Sequence, residues 1–409
     1  MRLVPPPLVP AAALLLAACP GQTGRPHPVS DLPVSAGLPT ASPPALGFDN
    51  AGLAVAVSYL RAVVDSGAFP GAVLAVGRHG RLALLAPVGR YAVGEKDPVQ
   101  PTTLYDLASL TKVVGLTTAC MLLVDAGKLA LDAPVQRYLP AFRGAGKERV
   151  TVRHLLTHSS GLPAWRPLYR ETATRAQALA LVDTTPLAWP PGEQLVYSDL
   201  GAIVLMQVVE AIAHEPIDLF LASRVFGPLG MSATRYVPPP SWWRMTAPTE
   251  EDTTFRHHML RGEVNDANAS RLDGISGHAG LFSNAGDLSR FAAMLLNGGA
   301  WDSLQLIHSE TVAEFTRRQD LPPGSSRALG WDTPDEPRTA SSSAGLRLSA
   351  RAFGHTGHTG TSMWMDPDRD LFIILLTNRV NEPDDNMAIR RVRSRVADLI
   401  VEALMHAEL

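Results

Sequence analysis

The chain has 409 residues, of which 46% are hydrophobic and 18% are charged, and its formal net charge is -3 at pH 7. This length is enough to bury one large core or two ordinary ones. Because the charge is nearly balanced, the chain lacks the basic footprint of a nucleic-acid-binding protein, and we expect no nucleic-acid partner.

The amino terminus has the pattern of an export signal, with Arg2 ahead of an apolar stretch, 8–19, that is too short to span a bilayer. The stretch ends in Leu16-Ala-Ala-Cys19, which resembles a bacterial lipobox whose cysteine is lipidated. An ordinary signal peptide, cut just before that cysteine, is the alternative. We predict a signal peptide over 1–19, lipidation at Cys19, and an exported protein anchored to the bacterial cell envelope, on its periplasmic or outer-membrane face.

Residues 20–47 are rich in Pro, Gly, Ser and Thr without periodicity, which predicts a flexible linker. The folded domain, 48–409, is predicted to open with an amphipathic helix over about 50–65. Two apolar runs, 71–77 and 82–87, flank a short glycine-containing link, which is typical of a β-hairpin.

A second hairpin is predicted near the other end of the chain, from the runs 360–365 and 371–377. A last helix over about 384–406 has an apolar stripe of helical period, and Asp384 or Asp385 can cap it. Because hairpins from both chain ends are flanked by helices, we expect an α/β (α+β) fold whose antiparallel sheet is built from both chain ends.

Between the hairpins, a mostly helical insertion is predicted over about 108–345, with a cleft between it and the sheet. Its clearest helices are those over 113–127, 200–214 and 287–296. The polar tract 332–346 is expected to be a surface excursion. A cluster of arginines on the last helix is interpreted as a solvated face, with a binding patch as the alternative: Arg390, Arg391, Arg393 and Arg395.

The chain uses lysine only four times, and one of these, Lys112, stands three residues after Ser109 on the predicted first turn of a helix. At that spacing the two side chains are neighbours on one helix face. A lysine amine in a tight, partly desolvated cleft can have its pKa lowered and can then take the proton of the serine hydroxyl. Ser109 and Lys112 therefore match the Ser-x-x-Lys nucleophile motif.

Two later segments could complete such a site. Tyr197 follows a Pro-Gly turn and precedes a helix, and near a lysine cation it could ionise more readily and act as a general base. An ordinary packing tyrosine is the alternative. The segment 353–362 repeats His-Thr-Gly ahead of a strand, where backbone N–H groups, with that of Ser109, can hold a developing oxyanion. A glycine-rich strand entry without function is the alternative there.

In the order of its motifs, Ser-x-x-Lys, Tyr-Ser-Asp and His-Thr-Gly, the chain resembles the serine β-lactamase and penicillin-binding-protein superfamily. It is nearest the class C β-lactamase-like esterases and D-aminopeptidases of that superfamily. The resemblance covers about 48–405 and includes three accessory segments, 153–163, 247–252 and 277–284.

The resemblance implies a role for each matched residue. Ser109 would be the acylated nucleophile, Lys112 its hydrogen-bonded partner, and Tyr197 the proton shuttle between nucleophile, leaving group and deacylating water. The N–H groups of Ser109 and His358 would form the oxyanion hole. Because His-Thr-Gly occurs twice in succession, the register is open by one repeat. We use the first copy as the substrate-binding strand motif: His355, Thr356 and Gly357.

Two positions depart from the family pattern. Asp199 stands where β-lactamases of this class have Asn, and His355 stands where they have Lys. Since those residues recognise the amide and the carboxylate of a β-lactam, efficient lactam hydrolysis is in doubt. A histidine that is neutral or weakly cationic near neutral pH suits an ester or a peptide better than a permanent anion clamp.

No cofactor or metal is predicted. The chain has twelve histidines, and His154 and His158 have the i,i+4 spacing of a metal-binding helix. No Glu follows the first of them, as a His-Glu-x-x-His site requires. Structural roles beneath the cleft are expected for His154, His158 and His278.

The sequence therefore predicts a serine hydrolase that forms an acyl-enzyme on an ester or an amide. Its candidate substrates are short esters, D-amino-acid peptides and peptidoglycan stem peptides, with β-lactams as a side activity. Its expected partners are such a small ester or peptide, peptidoglycan, and the membrane through the lipid anchor. The alternative is a non-catalytic, cell-wall ligand-binding lipoprotein of the same fold.

Overall fold

The computed structural model describes residues 37–339, 342–381 and 387–406, so the predicted signal peptide, with Cys19, lies outside the described residues. The strands are β1 (Gly71–Arg78), β2 (Arg81–Gly89), β3 (Tyr105–Asp106), β4 (Arg235–Tyr236), β5 (Glu251–Asp252), β6 (His258–Met259), β7 (Leu281–Ser283), β8 (Ala300–Trp301), β9 (Leu304–Gln305), β10 (Phe353–Thr356), β11 (Ser362–Asp366) and β12 (Leu371–Thr377). The α-helices are α1 (Asn50–Asp65), α2 (Thr118–Asp125), α3 (Val152–Leu156), α4 (Leu168–Glu171), α5 (Arg175–Thr184), α6 (Asp199–Ala213), α7 (Ile217–Leu221), α8 (Ala267–Arg271), α9 (Ala285–Leu296), α10 (Ser309–Thr316) and α11 (Ala388–His406). Shorter 3-10 or π-helical turns lie at Pro43–Leu46, Lys112–Thr117, Val135–Arg137, Lys147–Arg149, Ala222–Phe226, Pro240–Met245 and Arg379–Asn381.

The central sheet is antiparallel, with five strands in the order β10–β11–β12–β1–β2. Strands β1 and β12 pair from Ala72 opposite Thr377 to Arg78 opposite Leu371, so the two ends of the domain meet in one sheet. Both strands are buried over almost their whole length, because helices cover both faces of the sheet. The expected α/β (α+β) fold, with a sheet built from both chain ends, is confirmed.

Helices α1 and α11 pack together on one face of the sheet, and α9 lies against β1 and β12 on the other. The core behind α9 continues into the mostly helical part of the chain, so the sheet and the insertion share apolar packing. Helix α1 begins at Asn50, as predicted, because the Asp49 carboxylate accepts hydrogen bonds from the first N–H groups of the helix. Among the described residues, no single helix is long and apolar enough to cross a membrane, although α6 and the bent 217–226 segment, meeting at 69°, pass that test as a pair.

The predicted flexible linker is wrong at its C-terminal end, where residues 37–47 are packed onto the domain. Leu38 and Leu46 are each 4% exposed, and the Ala41 N–H donates to the Leu82 carbonyl at 3.0 Å. The composition of this segment is that of a linker, but its few leucines reach the core and its backbone extends the edge of β2.

Two further predictions differ from the structure in detail. The helix after Ser109 starts with π-helical residues, Lys112–Thr117, before α2, and the Thr118 hydroxyl donates to the Val113 carbonyl there. The tract 332–346 is not wholly a surface excursion, because Asp332 exchanges two backbone hydrogen bonds with Gly354 at 2.8 and 3.0 Å. This pairing covers part of the exposed edge of β10. The capping residues expected for the last helix, at 384 and 385, lie outside the described residues.

Candidate active site

Ser109 stands on a strained turn between a short strand and a helix. Strand β3 pairs with β7 and ends at Asp106, and Ala108 then adopts a left-handed conformation with φ of +47°. The buried Asp106 carboxylate accepts hydrogen bonds from the N–H of Ala108 at 2.8 Å and of Asn265 at 2.6 Å. These bonds hold a conformation that costs a non-glycine residue about 1–2 kcal/mol. The turn leaves Ser109 half-buried at the mouth of a cavity.

The sequence analysis missed the role of Asp106 in holding this turn. Burial raises the pKa of its carboxyl to about 6, against the N–H donors that favour the charged form. The signal available in the sequence was a single acidic residue inside the apolar run 104–110. An acidic side chain in such a run is expected to be buried and hydrogen-bonded.

Lys112 is buried, and its ammonium group connects three parts of the site. Its Nζ lies 3.0 Å from Ser109 Oγ, 2.7 Å from Asp199 Oδ1 and 3.1 Å from the carbonyl oxygen of His278. Burial lowers the pKa of Lys112, but the Asp199 charge and the Tyr197 phenol raise it more, so the pKa lies above its usual value. The expectation of a lowered lysine pKa is therefore wrong, and Lys112 is a cation near neutral pH.

Tyr197 lies beside the lysine and the nucleophile, between two histidine rings. Its ring centroid is 4.7 Å from Lys112 Nζ and 4.5 Å from the centroid of the His158 ring, and its side chain interacts with both Lys112 and Ser109. Burial raises the pKa of Tyr197, and the lysine cation lowers it only in part. The predicted easier ionisation is wrong for the free enzyme, where Tyr197 is a neutral phenol near neutral pH.

Asp199 is the first residue of α6 and is half-buried. Its carboxylate faces Lys112 across the site. Where the family has a neutral Asn, this chain therefore has an anion paired with Lys112. The His278 ring lies behind this pair, bonded to Ser276 Oγ at 2.7 Å and Asp266 Oδ1 at 2.9 Å. Burial would raise the pKa of Asp266, but the His278 bond and charge hold it below its usual range.

The side chains of Asp199, Asp266 and His278 offer donor atoms within 4.8 Å of one another, a grouping that could hold a metal ion. The Lys112 ammonium already bonds to Asp199 at 2.7 Å in this position. A second cation there would face that ammonium at close range, which is electrostatically unfavourable. The donor set therefore fits an ion-paired lysine better than a metal.

The two His-Thr-Gly copies lie in different structures. In the first, His355 and Thr356 are the last residues of the edge strand β10 and Gly357 follows it, while the second lies in the turn into β11. In that turn Thr359 Oγ1 donates to the Asp106 carbonyl at 2.8 Å, and Thr361 Oγ1 donates to the Leu107 carbonyl at 3.0 Å. The second copy therefore ties the strand to the Ser109 turn, while the first faces the cavity. His358 and Ser109 line the same cavity, and the oxyanion hole they would form stays a prediction.

Glycine is required where these two segments meet. A Cβ on Gly357 would lie 2.4 Å from the Leu107 carbonyl oxygen and 2.2 Å from Thr361 Oγ1. Any side chain there would push β10 away from the turn that carries the nucleophile. Close backbone approach, rather than backbone freedom, explains this glycine.

His355 is 2% exposed and points its ring along the cavity wall, 6.0 Å from the Tyr197 ring. Its Nδ1 donates to the Thr356 carbonyl at 2.8 Å, and among the described residues its Nε2 has no hydrogen-bond partner. Burial lowers the pKa of His355 to about 4, and the nearby Arg327 and Lys112 charges act in the same direction. The ring is therefore a neutral acceptor at the position where β-lactamases carry a lysine cation.

Two further histidines hold the loops beneath the cleft. The N–H of Ser198 donates to His158 Nδ1 at 3.1 Å, which fixes the residue after Tyr197. Burial, with Arg327 and Lys112, holds the pKa of His158 well below its usual value. His154 caps α3, where its Nδ1 accepts from the Thr151 N–H at 3.1 Å.

The cleft has opposite charges on its two sides. A cavity of about 610 Å³ on the β10 side of Ser109 is lined by Asp332 and four arginines: Arg327, Arg379, Arg390 and Arg393. A cavity of about 410 Å³ on the other side of Ser109 is lined by four carboxylates and Arg256: Asp199, Glu250, Asp252 and Asp266. The interpretation of the C-terminal arginines as a solvated face agrees with the exposure of Arg390, Arg391 and Arg395, although Arg390 also lines the cavity. It is wrong for Arg393, which is half-buried. Arg393 Nη2 donates to the carbonyls of Gly357 and Thr361 at 2.6 and 2.8 Å.

A Ser–Lys–Tyr cluster beside the edge of a sheet built from both chain ends is the arrangement of β-lactamase and penicillin-binding-protein folds. The chain belongs to the β-lactamase family, since the family model described as Beta-lactamase matches residues 56–397. A Salmonella typhi protein, provisionally named a D-alanyl-D-alanine carboxypeptidase, is 30% identical over 383 residues, covering 85% of this chain and 88% of that protein.

Solved structures share the fold at lower identity. The hydrolase EstCE1, described as having promiscuous acyltransferase activity, has a TM-score of 0.70 and 24% identity over 86% of this chain and 98% of its own. A penicillin-binding-protein homologue from Caulobacter crescentus has a TM-score of 0.68 and 22% identity, over 90% and 99%. A β-lactamase/D-alanine carboxypeptidase from Pseudomonas syringae has a TM-score of 0.68 and 20% identity, over 86% and 99%. The chain is thus a member of a hydrolase family.

Acid should destabilise the protein through its buried neutral histidines. His355 titrates near 4 when folded and near 6.5 when unfolded, so its contribution is present above pH 6.5 and is lost as the pH falls towards 4. His355 should lower the free energy of unfolding by about 1.4 kcal/mol per pH unit in that window. Urea unfolding of wild type and His355→Gln at pH 7.5, 6 and 5 measures this, and the variant should lose less stability on acidification.

The exposed His257, changed to Gln, is the matched control and should keep the wild-type dependence on pH. If His355→Gln loses stability in acid as steeply as the wild type, the histidine is not held neutral by the fold.

Proposed function

We propose that this protein is a serine hydrolase that forms an acyl-enzyme at Ser109 on an ester or an amide. The observation that carries the proposal is the position of the Lys112 ammonium, 3.0 Å from Ser109 Oγ and 2.7 Å from Asp199, with Tyr197 beside it. A buried cation next to a hydroxyl and a phenol can favour the charged forms of both as a reaction proceeds.

The protonation states define the order of events. Because Lys112 and Tyr197 are both protonated near neutral pH, one proton must leave this pair before Ser109 can be deprotonated. Because the Lys112 cation is next to Tyr197, it stabilises the Tyr197 phenolate. The phenolate is therefore the base in this proposal. Asp199 keeps the lysine charged while this happens. The active form is a minority near neutral pH, and its population rises with pH.

In the acylation step, the Tyr197 phenolate takes the proton of Ser109 Oγ while Oγ forms a bond to the substrate carbonyl carbon. The oxygen of the tetrahedral intermediate carries the negative charge and accepts hydrogen bonds from the N–H groups of Ser109 and His358. The Tyr197 phenol gives its proton to the leaving oxygen or nitrogen as that bond breaks. In deacylation the Tyr197 phenolate takes a proton from water, and the water oxygen bonds to the acyl carbon. The bond between that carbon and Ser109 Oγ then breaks, and the Tyr197 phenol returns its proton to Oγ, which restores the hydroxyl and releases the acid.

The candidate substrates are D-amino-acid peptides, peptidoglycan stem peptides and short esters, with β-lactams as a side activity. The Salmonella relative that is provisionally named a D-alanyl-D-alanine carboxypeptidase supports a D-peptide, and the fold shared with EstCE1 is compatible with an ester. The neutral His355 supports neither a lysine-type carboxylate clamp on β10 nor efficient lactam turnover.

A non-catalytic ligand-binding protein is the second candidate. It is favoured by one observation, that neither Lys112 nor Tyr197 is a free base near neutral pH. Such a protein would still bind a cell-wall ligand in the cleft but would form no covalent adduct.

Ser109→Ala should abolish turnover, because no other serine or threonine hydroxyl is hydrogen-bonded to Lys112 among the described residues. Hydrolysis of 4-nitrophenyl acetate should fall by at least about a thousandfold, as expected when a nucleophile is removed. Mass spectrometry of the wild type after incubation with esters, D-peptides and penicillins should show an acyl adduct that Ser109→Ala lacks.

Ser303→Ala, at an exposed turn position, is the control and should retain full activity. Undiminished turnover by Ser109→Ala would refute the nucleophile assignment. Binding of a probe by the wild type without adduct or turnover would instead support the non-catalytic candidate.

In Asp199→Asn, the increase of kcat/KM with pH should occur at lower pH than in the wild type. The Asp199 carboxylate raises the pKa of both Lys112 and Tyr197, so removing its charge lowers both and makes the phenolate available at lower pH. The pH profile of kcat/KM for a neutral ester measures this shift. Asp368→Asn, which removes a surface carboxylate paired with Arg351, should leave the profile in place. If kcat/KM of Asp199→Asn rises over the same pH range as in the wild type, or at higher pH, the proposed protonation states of Lys112 and Tyr197 are wrong.

We also propose that the mature protein is held at the bacterial cell envelope by a lipid on Cys19. The support is the Leu16-Ala-Ala-Cys19 pattern at the C-terminal end of a short apolar stretch. Cys19→Ala should move the protein from the membrane fraction to the soluble fraction after cell breakage, because the anchor would be lost. Cys120→Ala, which removes the other thiol, should leave it in the membrane fraction. A membrane-bound Cys19→Ala protein would rule out lipidation at this residue.

A further inference from the structure

The peptide group between Gly357 and His358 has a charged side chain bonded to its carbonyl. Arg393 Nη2, on α11, donates to the Gly357 carbonyl at 2.6 Å and to the Thr361 carbonyl at 2.8 Å. The Gly357 N–H donates to the same Thr361 carbonyl at 2.7 Å, and the Gly360 N–H donates to the Gly357 carbonyl at 3.1 Å. The Arg393 guanidinium therefore closes a small hydrogen-bonded turn, 357–361.

The N–H of this same peptide group is the donor that His358 would offer to an oxyanion. The Gly357–His358 bond is trans, so its C=O and its N–H point in opposite directions. Gly357 lies against the Ser109 turn, because a Cβ there would be 3.3 Å from the Ala108 Cβ. The positive charge of Arg393 and the His358 N–H therefore lie at the two ends of one peptide dipole.

Arg393 is unfavourable as a structural residue in this position. Its side chain is half-buried, and its buried Nε has no acceptor among the described residues. Burial lowers the pKa of Arg393, and the charges of Arg379 and Arg390 act in the same direction, although a guanidinium remains a cation near neutral pH. Neutral carbonyls compensate a buried charge only in part. A negative charge that forms nearby during a reaction would therefore be stabilised by it.

A second arginine bonds to the next peptide group along the chain. Arg379 Nε donates to the His358 carbonyl at 2.8 Å, and its Nη2 lies 3.2 Å from His358 Nδ1. The His358 carbonyl belongs to the peptide group of the Thr359 N–H. Arg379 therefore holds His358 in place, whereas Arg393 bonds to the peptide group that carries the candidate oxyanion donor.

We infer that Arg393 is a positioning residue for the oxyanion hole, which orients and polarises the Gly357–His358 peptide group so that the His358 N–H binds the oxyanion more strongly. The inference rests on the proposed function and adds a residue to it. A donor on a carbonyl increases the dipole of its peptide group and strengthens the hydrogen bond from the N–H at the other end. By standard bond lengths, Nη2 would lie about 7–8 Å from an oxyanion bound at that N–H. At this distance the guanidinium charge also favours the oxyanion directly.

Arg393→Met should lower kcat and kcat/KM for 4-nitrophenyl acetate together, by about ten- to a hundredfold, with KM changed less than about threefold. The substrate is neutral, so the loss does not reflect recognition of a charged group. The loss should be smaller than the effect of removing an oxyanion donor outright, which costs about a hundred- to a thousandfold. Arg393→Lys, which keeps the charge and a donor, should recover most of the activity.

Arg391→Met is the matched control, because Arg391 is exposed on the same helix, and it should retain wild-type kinetics. A wild-type kcat in Arg393→Met would overturn the inference. A rise in KM alone, or an equal loss in Arg393→Lys and Arg393→Met, would also overturn it, because neither result fits a charge that acts on the transition state.

Nuclear magnetic resonance tests the same contact without any reaction. The sequence has three Gly-His peptide bonds: 277–278, 354–355 and 357–358. A protein with isotope labels at glycine carbonyl carbons and histidine nitrogens therefore gives three carbonyl–nitrogen correlations, and His358→Gln identifies one of them by its loss. Arg393→Met should move the 357–358 correlation and leave the 277–278 correlation in place, which also shows that the fold is kept. Arg393→Lys should restore the 357–358 correlation in part.

The two measurements separate the inference from the proposed chemistry. A 357–358 correlation that does not move in Arg393→Met refutes the inference. If it moves, but the wild type neither hydrolyses the ester nor forms an adduct, the polarisation of this peptide group by Arg393 is supported and the hydrolase is refuted. If it moves in an active enzyme whose kcat is unchanged by Arg393→Met, the contact is present but its role in the reaction is wrong.

Discussion

The ion pair between Lys112 and Asp199 is the constraint on which the rest of the site depends. A buried ammonium needs a counter-charge and hydrogen-bond acceptors, and here they come from the start of α6, from the His278 carbonyl and from Ser109. Removing the Asp199 carboxylate would leave the buried Lys112 ammonium without its counter-charge. The pair therefore fixes the separation between the nucleophile turn and α6, and Tyr197, two residues before Asp199, is placed by the same contact.

The same pair determines which proton chemistry the site can perform. With an aspartate rather than an asparagine opposite the lysine, the pKa of Lys112 is raised and the lysine stays charged. The neutral His355 removes the positive charge that β10 would otherwise present to a substrate. Positive charge is supplied instead by α11, on the far side of Thr356. The positive charges that line this side of the cleft therefore belong to residues outside β10.

Local patterns were enough to predict the scaffold and the nucleophile motif, because both are encoded over short stretches of chain. The period of α1, the two hairpins and the Ser-x-x-Lys spacing are examples. Properties that depend on distant residues were not accessible. The sign of the Lys112 pKa shift is set by Asp199, far along the chain, and the position of Arg390 beside the cavity depends on how α11 packs against the sheet. Composition also misled at 37–47, where a few leucines outweigh a linker-like background.

The repeated His-Thr-Gly shows how a sequence ambiguity can be resolved by separate physical roles. The first copy presents Thr356 and His355 to the cavity, and the second provides the hydroxyl of Thr359 that bonds to the carbonyl of Asp106. Since Asp106 also holds the strained conformation before Ser109, a movement of β10 would be transmitted directly to the nucleophile. Arg393 bonds to the other end of the same turn. Helix α11 and the Ser109 turn are therefore joined through one hydrogen-bonded turn, 357–361, which holds Ser109 in position before any substrate binds.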